Sequence, residues 1–283
     1  MTKRLITRRK FLACAVAGGL GLAGYAGLVE PFRLEIGRHE CRTRAPAPDR
    51  PLKLLHLSDL HASWAVSLGF IEEAVELGLQ LKPDLICITG DFITVKYAAF
   101  DPYARVLAKL SAAAPAFACL GNHDGGRWTK FRGGYESTQP VRQLLQRSGI
   151  ELLHNRSIEL RLNGRDLKLT GLPDAWSEDL DLAAAFPPAQ AGGAATRILL
   201  SHNPDTKDFL KFHPWDLLLC GHTHGGQVVL PWLGAPWAPV RDKRFLAGMY
   251  SWNHRWIHIT RGVGNVHGFR FNCPPEVSLV TVI

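Results

Sequence analysis

The sequence has no G-x-S-x-G elbow, no G-x-x-x-x-G-K-[ST] loop and no H-E-x-x-H pair. The α/β-hydrolase, phosphate-loop and zincin readings therefore have no motif to stand on. Its six cysteines form no C-x-x-C pair, so a thioredoxin-like site has none either. No segment repeats and none is of low complexity, which argues against a solenoid or a disordered chain. Acidic charge is scarce overall, with a net charge of +8 and a pI near 9.3. The imbalance is local, because 11 of the 33 Lys/Arg but only four of the 25 Asp/Glu lie in residues 1–53. The rest of the chain is close to neutral, so a basic leader is favoured over a nucleic-acid surface and no nucleic-acid partner is expected.

That leader contains "TRRKFL", Thr7 to Leu12, and an apolar stretch from Phe11 to Val29 diluted by five glycines. A basic flank followed by an apolar run is a targeting segment. The Arg8–Arg9 pair resembles the twin-arginine export signal, which implies a twin-arginine translocase as partner and a cell-envelope location, periplasmic or on the outer face of the inner membrane. A plain N-terminal anchor is the alternative, since ~19 residues just span a bilayer. "AGYAG" around Ala26 is a weak cleavage site, so retention stays open. Residues 1–29 are read as signal or anchor, 30–50, with "RTRAPAPDR", as a linker, and 51–283 as the domain. Cys87, Cys119 and Cys220 fall inside apolar runs and are expected in the core, while pairing of Cys41 with Cys273 is left open.

From residue 52, short apolar runs alternate with amphipathic stretches, the pattern of an α/β layered domain. "LKLLHLS", "PDLICITG", "APAFACL", "TRILLS" and "WDLLLC" read as strands. "LGFIEEAVELGLQLK", "DPYARVLAKLSAA", "TQPVRQLLQRSG" and "PDTKDFLKF" read as helices, and "ELLHN", "IELRL" and "LKLTGL" as shorter strands. Five strand ends carry metal-binding side chains: Asp59 and His61, Asp91, Asn122 with His123 and Asp124, His202, then His222 and His224. Strand carboxyl ends line the crevice of open α/β sheets, so these five points are expected to converge. Extended backbone would turn Asp59 with His61, and His222 with His224, to one side. The glycines before Asp91, Asn122 and His222 permit close backbone approach. Imidazole, carboxylate and carboxamide suit Mn, Fe, Zn or Co rather than a thiolate-loving metal, and there are ligands enough for two divalent ions. Two ions ~3.5–4 Å apart can clamp a phosphoryl group during in-line displacement.

The ordered set D-x-H, G-D, G-N-H-D, H and G-H-x-H is similar to that of calcineurin-like metallophosphoesterases. With the leader and the ending "RFNCPPEV", the chain resembles their bacterial cell-envelope branch, the YaeI/YkuE-like phosphodiesterases. The resemblance implies two mixed β-sheets packed as a sandwich with helices outside, an α/β fold. It implies one ion on Asp59, His61 and His224, a second on Asn122, His202 and His222, and Asp91 between them. It also implies attack on a phosphodiester by a hydroxide bridging the ions, with His123 serving the leaving oxygen and Asp124 orienting His123. Two rival readings are an inner-membrane pyrophosphatase of a UDP-sugar lipid such as UDP-2,3-diacylglucosamine and a metal scaffold without turnover.

Several residues outside the motifs carry expectations of their own. Four of the eight Trp, with Arg241, Lys243, Arg244 and Arg255, fall between Pro231 and Trp256. They are read either as core or as an apolar, basic wall that favours a lipid-linked substrate and membrane association. His267 and Arg270 are minor candidates for the site, Arg270 for substrate phosphate or as a surface charge. His39, His56, His154, His213, His254 and His258 are expected to be structural or on the surface. The sequence does not indicate an oligomeric state.

Overall fold

The computed structural model describes residues 7–44, 50–187 and 195–283. In chain order the elements are α1 (Arg8–Leu28), β1 (Glu35–Cys41), β2 (Leu52–Leu57), α2 (Leu68–Gln80), β3 (Leu85–Thr89), α3 (Phe100–Ala113), β4 (Ala116–Cys119) and α4 (Arg127–Lys130). There follow α5 (Gln139–Arg147), β5 (Glu151–Leu152), β6 (Arg156–Leu162), β7 (Arg165–Gly171), β8 (Thr196–Leu200), β9 (Leu217–Cys220), β10 (Gly248–Trp252), β11 (Arg255–Ile259) and β12 (Glu276–Val282). The strands make two six-stranded sheets, ordered β1-β12-β2-β3-β4-β5 and β10-β11-β9-β8-β7-β6. Each is mixed: β12 runs antiparallel to β2 in the first, and β11, β9, β8 and β7 run parallel between antiparallel edge strands β10 and β6 in the second.

Period-2 alternation decides which side chains go where. Leu52 and Leu54 of β2 meet Leu169, Ile198, Leu217 and Leu219 in the layer between the sheets. Leu55 and Leu57, one step out of phase, pack with Ile71, Ala74 and Leu107 of α2 and α3. The outer face of the second sheet buries Leu199, Leu218 and Trp215. The Ser67 hydroxyl accepts the Phe70 N–H at 3.2 Å and starts α2, leaving a free loop between β2 and the helix for Asp59 and His61.

Two expectations are corrected, and the open question of Cys41 and Cys273 is answered. The 30–50 segment is not a linker throughout, because Glu35–Cys41 forms β1, paired in parallel with Glu276–Val282. Its sequence, "EIGRHEC", hides this because an edge strand is held by backbone bonds and keeps alternate residues in water. Residues 45–49 of the Pro-rich stretch and residues 1–6 of the leader lie outside the described residues. "PDTKDFLKF" makes only a short 3₁₀ turn at Pro204–Asp208, since Phe209 and Phe212 point to water while Leu210 is buried, which is no helical stripe. Cys41 and Cys273 are both buried and free.

Candidate metal centre

The carboxyl ends of β2, β3, β4, β8 and β9 deliver their polar residues to one place. Asp59, His61 and His224 form one group, and Asp91, His202 and His222 another, each with ligand atoms within 4.8 Å of one another. Asp91 Oδ2 stands between the groups, 3.5 Å from His61 Nε2 and 3.1 Å from His202 Nε2. Asp59 Oδ1 is 3.3 Å from His224 Nε2. Asn122 is buried and its Oδ1 has no hydrogen-bond partner.

Backbone conformation, rather than extended alternation, aims these side chains. Asp59, His61, Asp91, His222 and His224 all lie in the left-handed region, with φ between 49° and 68°. The glycines beside them are spatial necessities. A Cβ on Gly121 would come within 2.2 Å of Asp91 Oδ1, and one on Gly221 within 2.2 Å of Asp59 Oδ2. The loops can approach only because those positions carry no side chain.

Burial sets the protonation. It holds the His61 and His224 imidazoles well below their ordinary pKa and brings His222 down to about 3, so these rings are neutral and keep lone pairs. Asp59 is pushed up to about 6 by desolvation. Desolvation also opposes ionisation of Asp91 and His202, but each outweighs it for the other: Asp91 is held well below the carboxylate range and His202 well above the usual imidazole value. His61 Nε2 faces His224 Nε2 at 3.2 Å, and His202 Nε2 faces His222 Nδ1 at 3.2 Å. Converging imidazole nitrogens, buried carboxylates and an unpartnered amide oxygen form a nitrogen and oxygen donor set that fits divalent ions, with a bound cation taking the place of the proton that Asp91 holds on His202.

His123 sits at the rim, half-buried. Its Nδ1 is bonded to the Thr94 carbonyl at 2.7 Å and its backbone N–H donates to Asp91 Oδ1 at 2.8 Å. Thr94, not Asp124, therefore orients the ring. The Asp124 carboxylate instead accepts the N–H groups of Asp91, Phe92 and Gly121 at 2.7–2.9 Å, clamping two ligand loops together. Beyond His123 a cleft of about 440 Å³ runs past Asn122, Trp128, Asp174 and Trp176. Trp128 packs edge-on to His123 and Trp176 edge-on to His222, both at 4.5 Å, and the two indoles stack at 6.1 Å.

Thr94, Trp128, Asp174 and Trp176 carry no motif in the sequence: Thr94, Asp174 and Trp176 reach the site from loops, and Trp128 from the single turn of α4. Arg270 is neither on the surface nor turned toward the cleft. It is fully buried, donates to the carbonyls of Arg261, Gly262, Gly264 and Cys273, and lies 3.5 Å from His224 Nδ1. His267 stacks on Phe269 instead of entering either metal group. The Pro231–Trp256 segment divides. Trp252 stacks on Trp215 and Trp256 packs against the inter-sheet core, whereas Trp232 and Trp237 are exposed. Its link to the metal groups is the Pro239 carbonyl, 3.0 Å from His222 Nε2. His39, His56 and His258 gather with Glu276 between the sheets.

Comparison with known proteins agrees with this geometry. Residues 52–226 match the family model described as calcineurin-like phosphoesterase. The chain is 39% identical to phosphodiesterase YaeI of Escherichia coli, over 99% of this chain and all of that one. It is 30% identical to the uncharacterized metallophosphoesterase YkuE of Bacillus subtilis, over 98% of each chain. It is also 27% identical to UDP-2,3-diacylglucosamine pyrophosphatase LpxG of Chlamydia muridarum, over 90% of this chain and 91% of that one.

Proposed function

The chain belongs to the calcineurin-like phosphoesterase family and is a metal-dependent phosphoric ester hydrolase; we propose that it cleaves phosphodiesters, with its domain held at a membrane by α1. The observation that carries the reaction class is Asp91 Oδ2 lying between His61 and His202 beside an open cleft. Asp59, His61 and His224 would hold one divalent ion, Asn122, His202 and His222 the other, and Asp91 both. Such ions, Mn, Fe or Zn by donor type, polarise phosphoryl oxygens and make water a nucleophile at neutral pH. His123 is fixed by Thr94 and Asp91 with its Nε2 left to transfer a proton to the departing oxygen. Trp128 and Trp176 wall the cleft and limit water around the leaving group.

The test uses the full chain in detergent with bis(p-nitrophenyl) phosphate. Hydrolysis should stop in chelator and return with Mn, and full activity after exhaustive chelation would overturn the reading. A second substrate, a lipid-linked pyrophosphate, is favoured by the similarity to LpxG. Comparing UDP-2,3-diacylglucosamine with the soluble diester separates the two.

For location we propose export by the twin-arginine route with α1 retained. Arg8 and Arg9 are exposed at the start of α1, which Thr7 caps. The other end is built into the domain: Ala26 O accepts the Arg270 N–H at 2.9 Å, and the buried Glu30 carboxylate accepts the Cys273 N–H. Cleavage near Ala26 would remove the first of these bonds. Arg8→Lys with Arg9→Lys should block delivery while keeping the charge, and unchanged delivery would favour a plain anchor.

A further inference from the structure

Several large exposed apolar side chains of the domain gather near the end of α1, while Phe131, Phe209 and Phe212 are exposed outside that group. Trp232 is fully exposed, and Trp64, Leu233, Trp237 and Phe269 are 86%, 69%, 65% and 41% exposed. A line through the end of α1 joins them. The bond from Arg270 N–H to Ala26 O puts Phe269 beside the last turn of the helix. Gly268, the preceding residue, lies against Trp64, whose Cη2 would be 3.7 Å from a Cβ placed there. On the other flank, Pro231 shares with Tyr25, Arg33 and Phe271 the wall of a cavity of about 450 Å³. That sets the tight turn Leu230–Gly234, closed by reciprocal backbone bonds of 2.8 and 2.9 Å, beside the helix with Trp232 and Leu233 at its tip. Lys243 Nζ donates to Pro236 O at 3.3 Å, next to Trp237.

A soluble surface has reason to scatter such rings, because a contiguous apolar patch marks a contact. The occupant here is a bilayer. α1 is exposed from Arg8 to Ala23 and half-buried only at Gly24–Gly27, where it meets the domain; it is long and apolar enough to cross a membrane, and it leaves the domain at the patch. Indole is amphipathic and settles at the headgroup level, and Arg33, Arg241 and Lys243 suit anionic headgroups. The rim is also tied to the metal ligands. Trp64 follows His61 by three residues, Trp237 precedes by two the Pro239 carbonyl at His222, and Gln227, three residues after His224, donates its side-chain N–H to Phe269 O at 2.9 Å.

We infer that Trp64, Trp232, Leu233, Trp237 and Phe269 form a rim that beds in the membrane surface around α1 and holds the metal cleft beside it, so that substrate is taken from that surface. The inference rests on the retention of α1 proposed above.

The helix has no Trp, so indole fluorescence reports the domain and not the anchor. The full chain is reconstituted into phosphatidylcholine–phosphatidylglycerol vesicles whose acyl chains carry bromine, which quenches nearby indoles. Emission should fall against unbrominated vesicles. Trp232→Ser/Leu233→Ser/Trp237→Ser should lose most of that fall, still sediment with the vesicles, and turn over the soluble diester within about twofold of the parent, as surface changes do. Trp232→Ser alone, at a ring wholly in water, should lose part of it. A chain that sediments without quenching, or quenching that the triple variant leaves intact, overturns the rim. A chain that does not sediment overturns both anchor and rim while leaving metal-dependent hydrolysis standing.

Discussion

At the strand ends, Asp91 lies between His61 and His202; between the sheets, Glu276 lies among His39, His258 and His56, and His39, His258 and Glu276 also offer ligand atoms within 4.8 Å of one another. By residue type and spacing the two clusters are alike. Their hydrogen bonds separate them. Glu276 Oε1 accepts from Ser278 Oγ at 2.7 Å and Oε2 from Arg261 Nε at 2.8 Å. His56 Nδ1 faces His258 Nδ1 at 2.8 Å and its Nε2 faces Thr89 Oγ1 at 2.8 Å. Among the fully buried polar atoms of that group, His258 Nε2 lacks a partner. At the strand ends the carboxylate oxygens and imidazole nitrogens face each other, Asn122 Oδ1 is spare, and a cleft opens alongside. Proximity of ligand-type residues does not make a metal site; uncommitted donors with access to solvent do.

The largest effect that would sharpen this contrast is loss of Asp91. Asp91→Ala should remove both ions by elemental analysis and reduce diester hydrolysis to background, whereas Glu276→Ala should leave two ions per chain. A third ion in the parent protein would break the comparison. Next comes His123→Ala, which should keep its ions yet lose roughly 10²–10⁴ in kcat; a metal-free variant would make His123 a ligand instead.

The second cluster should answer in stability. Glu276→Ala strands Arg261 and should cost about 3 kcal/mol, the low end for half of a buried ion pair, because Arg261 retains Glu35 at 3.2 Å. Urea midpoints measure it, and an unchanged midpoint with lowered metal content would reverse the assignments.

A further effect is on pH dependence. Burial lowers His56 from about 6.5 to about 3, so between those values the unfolded chain binds a proton that the fold refuses. The stability contributed by neutral His56 is complete above pH 6.5 and is lost as pH falls toward 3, by up to ~1.4 kcal/mol per pH unit. His56→Phe should flatten the parent's midpoint–pH curve in that window, and matching slopes would locate the proton elsewhere.

What could be read from the sequence follows the same division. All seven proposed ligands were visible because each follows an apolar run that could only be a buried strand, and the two-sheet α/β fold came with the resemblance their order carries. The walls were not visible. Trp128 and Trp176 meet across a fold from residues 48 apart in the chain, and Thr94 acts through a carbonyl that any residue has. Asp124 was recognised but misassigned, since its three backbone partners cannot be seen in a string of side chains. β1 escaped because an edge strand needs no apolar run, and Arg270 because nothing in "GFRFN" says that a cation is sealed inside.

The left-handed backbone at Asp59, His61, Asp91, His222 and His224 sets fitness for function against fitness for folding at single residues. A non-glycine residue there costs about 1 kcal/mol or more, and glycine would relieve it while deleting the ligand. Melting curves of the chelated protein should accordingly rank Asp59→Gly above Asp59→Ala. Selection for robustness alone would drift these positions toward glycine and erase the centre, so only a demand for turnover keeps five strained side chains in place.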